Sequence, residues 1–223
     1  MTKKLFFSAV LKFLLGVVLV GVLIFLSAGT VNFFNGWLFM CILFIPMLFA
    51  GIVMMIKNPE LLKKRLKAKE NEKEQGVVIK LSGLMLIIGF ATAGLNYRFG
   101  WHMLSPAVSI SAAVVFLIFY MLYAEVLREN AYLSRTVEIQ ENQKVVDTGL
   151  YSVVRHPMYG ITVFLFLAMP LILGSLISLI VFLMFPFIIV KRIKDEEKLL
   201  AKELDGYEEY MKKVKYRLIP FVW

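Results

Sequence analysis

Four apolar runs, each near the length of a bilayer crossing, fill most of the first 127 residues. They cover residues 5–26, 33–56, 77–96 and 104–127, and the first is interrupted only by Lys12. A hydrocarbon core of about 30 Å needs roughly 20 apolar residues of helix to cross it. No water is available there to pair backbone N–H and C=O groups, so runs of this length must be helices. A fifth run, residues 158–190, is too long for one span and short for two. Pro170 and Gly174 sit near its middle, in MPLILGS. This predicts a helical hairpin turning at 170–175, with short limbs that are tilted or packed inside the bundle. Composition closes the other classes. At 60% hydrophobic and 18% charged residues, the chain lies well away from the soluble norm of about 45–50% apolar and about 25% charged, and its apolar content excludes disorder.

The predicted fold is therefore an all-α integral membrane protein with about six transmembrane limbs. The last two form a hairpin, followed by a cytoplasmic C-terminal helical tail. Residues 1–127 make an N-terminal four-helix transmembrane region, and residues 128–223 a second, site-bearing region. The first run exceeds the about 7–15 apolar residues of a signal peptide, so it reads as a retained helix. Basic residues set the orientation. Eight of them lie in residues 57–80: Lys57, Lys63, Lys64, Arg65, Lys67, Lys69, Lys73 and Lys80. The loop at 27–36 carries no charge, and the loop after the third run holds only Arg98 and His102. A multi-pass protein with both termini in the cytoplasm is expected.

The net charge of +9 then falls on inner-surface loops. That suits anionic lipid headgroups as partners and argues against nucleic acid. The single Cys41 rules out a disulfide framework, and two histidines make a metal site unexpected. No GxGxxG, P-loop or internal repeat occurs. Asn58-Pro59-Glu60 reads as a capped helix start, and Leu61, Leu62 and Leu66 give that helix one apolar face, expected to lie on the membrane. SRTVEIQ (134–140) alternates in part. Gly206 should separate two amphipathic helices of the tail, and the final aromatics suit an interface.

Two polar clusters stand at the ends of the hairpin. Arg155-His156-Pro157-Met158-Tyr159-Gly160 precedes it, and Arg192 with Glu196 and Glu197 follows it. A hairpin returns its chain, so the two clusters should meet at the cytoplasmic surface, where polar groups beside lipid are costly and often functional. Pro157 suits a helix first turn, whose N–H groups could bind an anion. Arg155 could add a bidentate contact, His156 a donor or base, Tyr159 a cation-binding ring, and either glutamate an amine or ribose contact. Each also has a plainer role: Arg155 as topology signal, His156 as structural, Tyr159 as interfacial, and the glutamates paired one turn back with Arg192 and Lys194. The residues alone leave the reaction open.

GLYSVVRHPMYG (149–160), an apolar hairpin, RIKDEEKLL (192–200) and GYEEYMKKVKYRLIP (206–220) together resemble the isoprenylcysteine carboxyl methyltransferase family. That family belongs with the phospholipid N-methyltransferases. The resemblance runs from SRTVEIQ onward, and NPELL after the second run is similar to bacterial members. It implies a membrane methyltransferase using S-adenosylmethionine on a lipophilic methyl acceptor from the bilayer. By the same resemblance His156, Tyr159 and a glutamate of the pair bind the cofactor, with Arg155 beside them, and Val145, Gly149, Leu150 and Tyr151 match the stretch lining it. Arg192, Glu196 and Glu197 are then the catalytic candidates. A carboxylate acceptor needs no base and would be held by Arg192; an amine acceptor would need a glutamate to take its proton. The tail also resembles the NADPH-dependent membrane sterol reductases, whose chains are longer. A transporter or scaffold with a purely structural cluster is the third reading. The acceptor and the oligomeric state are left open.

Overall fold

The computed structural model describes residues 3–66, 73–133 and 139–223; Lys67, Lys69 and residues 134–138 of SRTVEIQ lie outside these. The described residues are almost entirely helical, in the order α1 (Lys3–Ala28), α2 (Phe34–Lys57), α3 (Pro59–Leu66), α4 (Lys73–Phe99), α5 (Pro106–Glu129), α6 (Pro157–Ile172), α7 (Leu176–Phe182), α8 (Phe185–Glu203) and α9 (Tyr207–Lys213). Among the described residues one 3₁₀ turn occurs, at Gly149–Ser152. Five helical stretches are long and apolar enough to cross a membrane, the last of them Leu176–Glu203, which joins α7 and α8. The protein is thus a multi-pass membrane protein. The sixth limb, α6, has 16 residues and so reaches only about 24 Å. It compensates by lying inside the bundle, with Tyr159, Ile161, Leu165, Ala168, Met169 and Ile172 buried. By contrast α1 buries only Ile24 and Ala28 and leaves a long apolar face exposed, with Phe7, Leu15, Val18 and Leu26 on it.

Lipid is as apolar as leucine, so burial alone does not hold such helices together; close backbone approach and interhelical hydrogen bonds do. Gly94 on α4 shows the first. A Cβ there would fall 2.5 Å from the Ile24 carbonyl oxygen and 2.7 Å from Ser27 Cβ on α1. Hydrogen bonds supply the second. Asn35 Nδ2 donates to Ser109 Oγ at 3.1 Å, and Ser109 Oγ donates to the Leu171 carbonyl at 3.2 Å. Ser178 Oγ donates to the Gly89 carbonyl at 2.7 Å. Together these groups pin the turn end of the hairpin to α2, α4 and α5.

The hairpin turns where the sequence places it. Gly174 takes φ +76°, a conformation that costs other residues but not glycine. Its carbonyl accepts the Leu104 N–H at 3.0 Å, and the Ser175 hydroxyl caps α7 by accepting the Ser178 N–H at 3.1 Å. The return limb, expected as one helix, breaks at Leu183–Met184 and restarts as α8, with Pro186 in its first turn. Proline lacks the N–H that a continuous helix needs. Beyond the apolar run α8 continues to Glu203, so Arg192, Glu196 and Glu197 all ride on one rigid helix.

One further expectation changes. The N-cap at Asn58 forms as read, its Oδ1 accepting the Leu61 N–H at 3.1 Å. However, Leu61 and Leu62 are buried in the protein rather than laid on the membrane. Arg65 accounts for this: it reaches over the bundle to the Tyr123 hydroxyl and to Met158 Sδ. The final segment is also tied to the protein. It folds back so that the Arg155 and His156 N–H groups donate to the carbonyls of Tyr216 and Arg217, each at 2.9 Å.

Candidate active site

The two polar clusters meet. Glu197 is the point of contact: its Oε1 accepts Arg155 Nε at 2.7 Å and lies 3.2 Å from His156 Nε2. Its Oε2 accepts Arg217 Nε at 2.7 Å. Arg217 comes from the returning tail, so three chain segments converge on one buried carboxylate. Arg155 is equally committed, its Nη1 donating to the carbonyls of Val214 at 2.7 Å and Lys215 at 3.0 Å. Charge-assisted contacts of this kind are about twice as strong as neutral ones, and together they fix the start of α6 against α8.

Glu196 and Glu197 are neighbours on a helix, hence about 100° apart around its axis, and they face different company. Glu196 accepts a hydrogen bond from the Tyr159 hydroxyl. That hydroxyl in turn accepts from Arg192 Nε at 2.7 Å, and the Arg192 guanidinium lies over the Tyr159 ring at 5.7 Å. Arg192, Tyr159 and Glu196 thus form one hydrogen-bonded line, separate from the Glu197 cluster. The first turn of α6 does not serve as an open anion site. The N–H groups of Tyr159 and Gly160 are directed to the His156 carbonyl, at 3.1 and 3.2 Å.

A cavity opens beside this line. Seven of the residues singled out in the sequence line it: Val145, Tyr151, Arg155, His156, Tyr159, Arg192 and Glu196. Gly149, Leu150 and Glu197 do not. Gly149 starts the 3₁₀ turn at φ +54°, where a Cβ would press on the Glu129 carboxylate at 3.0 Å, and Leu150 packs on the core. The cavity is polar near α6 and α8. It becomes apolar toward the tail, where Leu200, Leu204 and Val145 pack near Tyr207 and Tyr210. Burial pushes the hydroxyls of Tyr151, Tyr207 and Tyr210 above their ordinary range, and all three stay protonated. Tyr210 donates to the Tyr151 carbonyl at 2.7 Å.

A second, mostly apolar cleft lies on the other side of the same line. Val78, Ile79, Leu86, Phe166, Phe185 and Ile189 line it, with Arg65 and Arg192 as its charged residues. Met158, Tyr159 and Arg192 belong to both spaces. Sequence reasoning did not find Arg65, Arg217 or Tyr207. Arg65 sits in a basic run that reads as a topology signal, and Arg217 and Tyr207 lie some twenty and ten residues past the glutamate pair in chain order.

Residues 110–202 match the family model described as the Isoprenylcysteine carboxyl methyltransferase (ICMT) family. The matched segment begins in α5, earlier than the resemblance read from the sequence. It ends in α8, before the GYEEY and KYRLIP stretches. The match indicates a membrane methyltransferase. No curated protein matches the chain at a significant level.

Proposed function

We propose that the protein is an S-adenosylmethionine-dependent methyltransferase acting on an amphiphilic acceptor that arrives from the bilayer, with carboxylate O-methylation as its reaction. One observation carries this reading: the polar cavity and the apolar cleft share Met158, Tyr159 and Arg192 as a common wall. Methyl transfer needs two substrates of opposite character brought end to end. A polar nucleoside cofactor suits the cavity, and a greasy acceptor suits the cleft.

The cavity's donor set fits the cofactor. Glu196 and His156 offer contacts for an amine or hydroxyl, and the Leu200–Leu204 corner an apolar bed for an aromatic base. When bound, S-adenosylmethionine supplies an electrophilic methyl group on a sulfonium. The chain's own residues do the rest. Arg192, held by the Tyr159 hydroxyl, places a guanidinium at the shared wall, where an acceptor carboxylate would be fixed and aimed. Glu196 keeps Tyr159 oriented through the other side of the same hydroxyl. Neither residue has to move a proton, because a carboxylate is already a nucleophile. Orientation of this kind supplies about 7–11 kcal/mol of a barrier. Cytoplasmic termini would place the cavity mouth where the cofactor is made.

The test is a calorimetric titration of the detergent-purified protein with S-adenosylmethionine and, separately, NADPH. The expected result is saturable S-adenosylmethionine binding that weakens in Tyr159→Phe and Glu196→Gln. Binding of NADPH in its place would support a reductase. Folded protein that binds neither would leave the cluster as a structural cap.

A further inference from the structure

Among the described residues, Tyr207 is the cavity-lining residue whose buried side-chain polar atom has no partner. It begins α9, directly after Gly206, and is 4% exposed. Its ring packs with Leu204, Tyr210 and Val214. Among the described residues its hydroxyl has no hydrogen-bond partner. A buried hydroxyl without a partner costs stability, so a chain that keeps one has reason to. Tyr210, one turn on, shows the contrast: its hydroxyl is satisfied by the Tyr151 carbonyl. Both residues line the same cavity, and only one is left with a donor to offer. Burial, and after it the charges of Glu197 and Glu196, push the Tyr207 hydroxyl above its ordinary range and keep its proton in place.

We propose that Tyr207 is a cofactor-binding residue that donates its hydroxyl proton in a hydrogen bond to the purine nucleoside half of the ligand. This rests on the cofactor reading given above. The placement argues for the nucleoside end. Tyr207 lies at the apolar corner made by Leu200, Leu204 and Val145, which suits a flat heteroaromatic ring. Methyl transfer belongs at the opposite wall, at Tyr159 and Arg192. A purine carries ring nitrogens that accept hydrogen bonds, and those are what a protonated phenol in an apolar corner can recognise.

The substitution Tyr207→Phe removes the oxygen and keeps the ring. Two measurements on the detergent-solubilised full chain test it: thermal unfolding without ligand, and calorimetric affinity for S-adenosylhomocysteine and for 5′-methylthioadenosine, which shares the nucleoside but lacks the amino-acid portion. The expected result is ligand-free stability at or above the parent's, with affinity for both ligands reduced by about tenfold, the factor that about 1.4 kcal/mol carries. Equal affinity of parent and variant for both ligands overturns the assignment. Loss confined to S-adenosylhomocysteine also overturns it, because the contact would then lie on the amino-acid portion. A variant less stable than the parent without ligand overturns it too, since the hydroxyl would be serving the fold. A parent that binds neither ligand removes the cofactor reading, and this inference with it.

Discussion

Replacing Glu197 by glutamine separates a structural tie from a ligand contact. The carboxylate holds Arg155 and His156 on one oxygen and Arg217 on the other. Glutamine keeps the shape and one acceptor oxygen, and turns the other into an N–H donor. Arg155 and Glu197 side chains are 6% and 7% exposed, whereas Arg217 is 34% exposed. The amide nitrogen should therefore turn toward Arg217, which water can reach. The variant then loses one charged hydrogen bond, worth about 1.5–3 kcal/mol, and leaves the buried Arg155 without a counter-charge. Breaking a buried ion pair from one side costs about 3–5 kcal/mol. The oxygen retained for Arg155 puts the estimate at the lower end, about 3 kcal/mol. For a chain of this size that lowers Tm by about 6–12 °C. The assay is thermal unfolding in detergent followed by intrinsic fluorescence, with Glu196→Gln beside it. Glutamine at 196 retains an oxygen for the Tyr159 hydroxyl and should shift Tm far less while weakening the cofactor. Equal Tm values for the two variants, with cofactor binding lost in Glu197→Gln, would refute the tie and make Glu197 a ligand group.

Two further outcomes follow from the packing. Gly94→Leu would drive a side chain into the α1 backbone, where even a Cβ lies 2.5 Å from the Ile24 oxygen; overpacking costs about 1–3 kcal/mol or more, so Tm should fall by several degrees, and an unchanged Tm would mean that α1 does not pack there. The Asp147 carboxylate is held below its ordinary range by the Lys213 ammonium, hydrogen-bonded at 2.7 Å. A depressed carboxylate adds stability that is present above the unfolded value of about 3.9 and is lost as pH falls through the folded value. The Tm gap between the parent and Asp147→Asn should therefore be open at pH 7 and close below about pH 4; a gap independent of pH would remove the Asp147–Lys213 tether.

The sequence made legible those features that depend on chain direction. Pro170 and Gly174 marked the hairpin turn, and the turn required RHPMYG and the glutamate pair to meet. Asn58 announced the start of α3. Rotation about helix axes was not legible. Glu196 and Glu197 are adjacent in sequence, and only the packing of α8 shows that one faces Tyr159 and the other Arg155. The break between α7 and α8 was hidden in a uniformly apolar run, where Pro186 reads equally well as a kink. Arg65 was masked by the lysines around it. Val145, Gly149, Leu150 and Tyr151 read in sequence as one lining stretch, yet the 3₁₀ turn at Gly149–Ser152 leaves Val145 and Tyr151 at the cavity and places the other two elsewhere.

The tie between Glu197 and Arg217 also sets an order in time. The six apolar limbs and most of the cavity's lining residues precede Arg217 in chain order, so the segment that closes the tie is made after them. Until residue 217 emerges, Glu197 holds its two upstream partners but lacks the one that locks α8 to the tail. The backbone clasp on Arg155 and His156, drawn from residues 216 and 217, is missing over the same interval. The clasp around Glu197 is thus completed by residues far downstream of the helices it fastens, and it closes only once the chain as far as residue 217 can fold back.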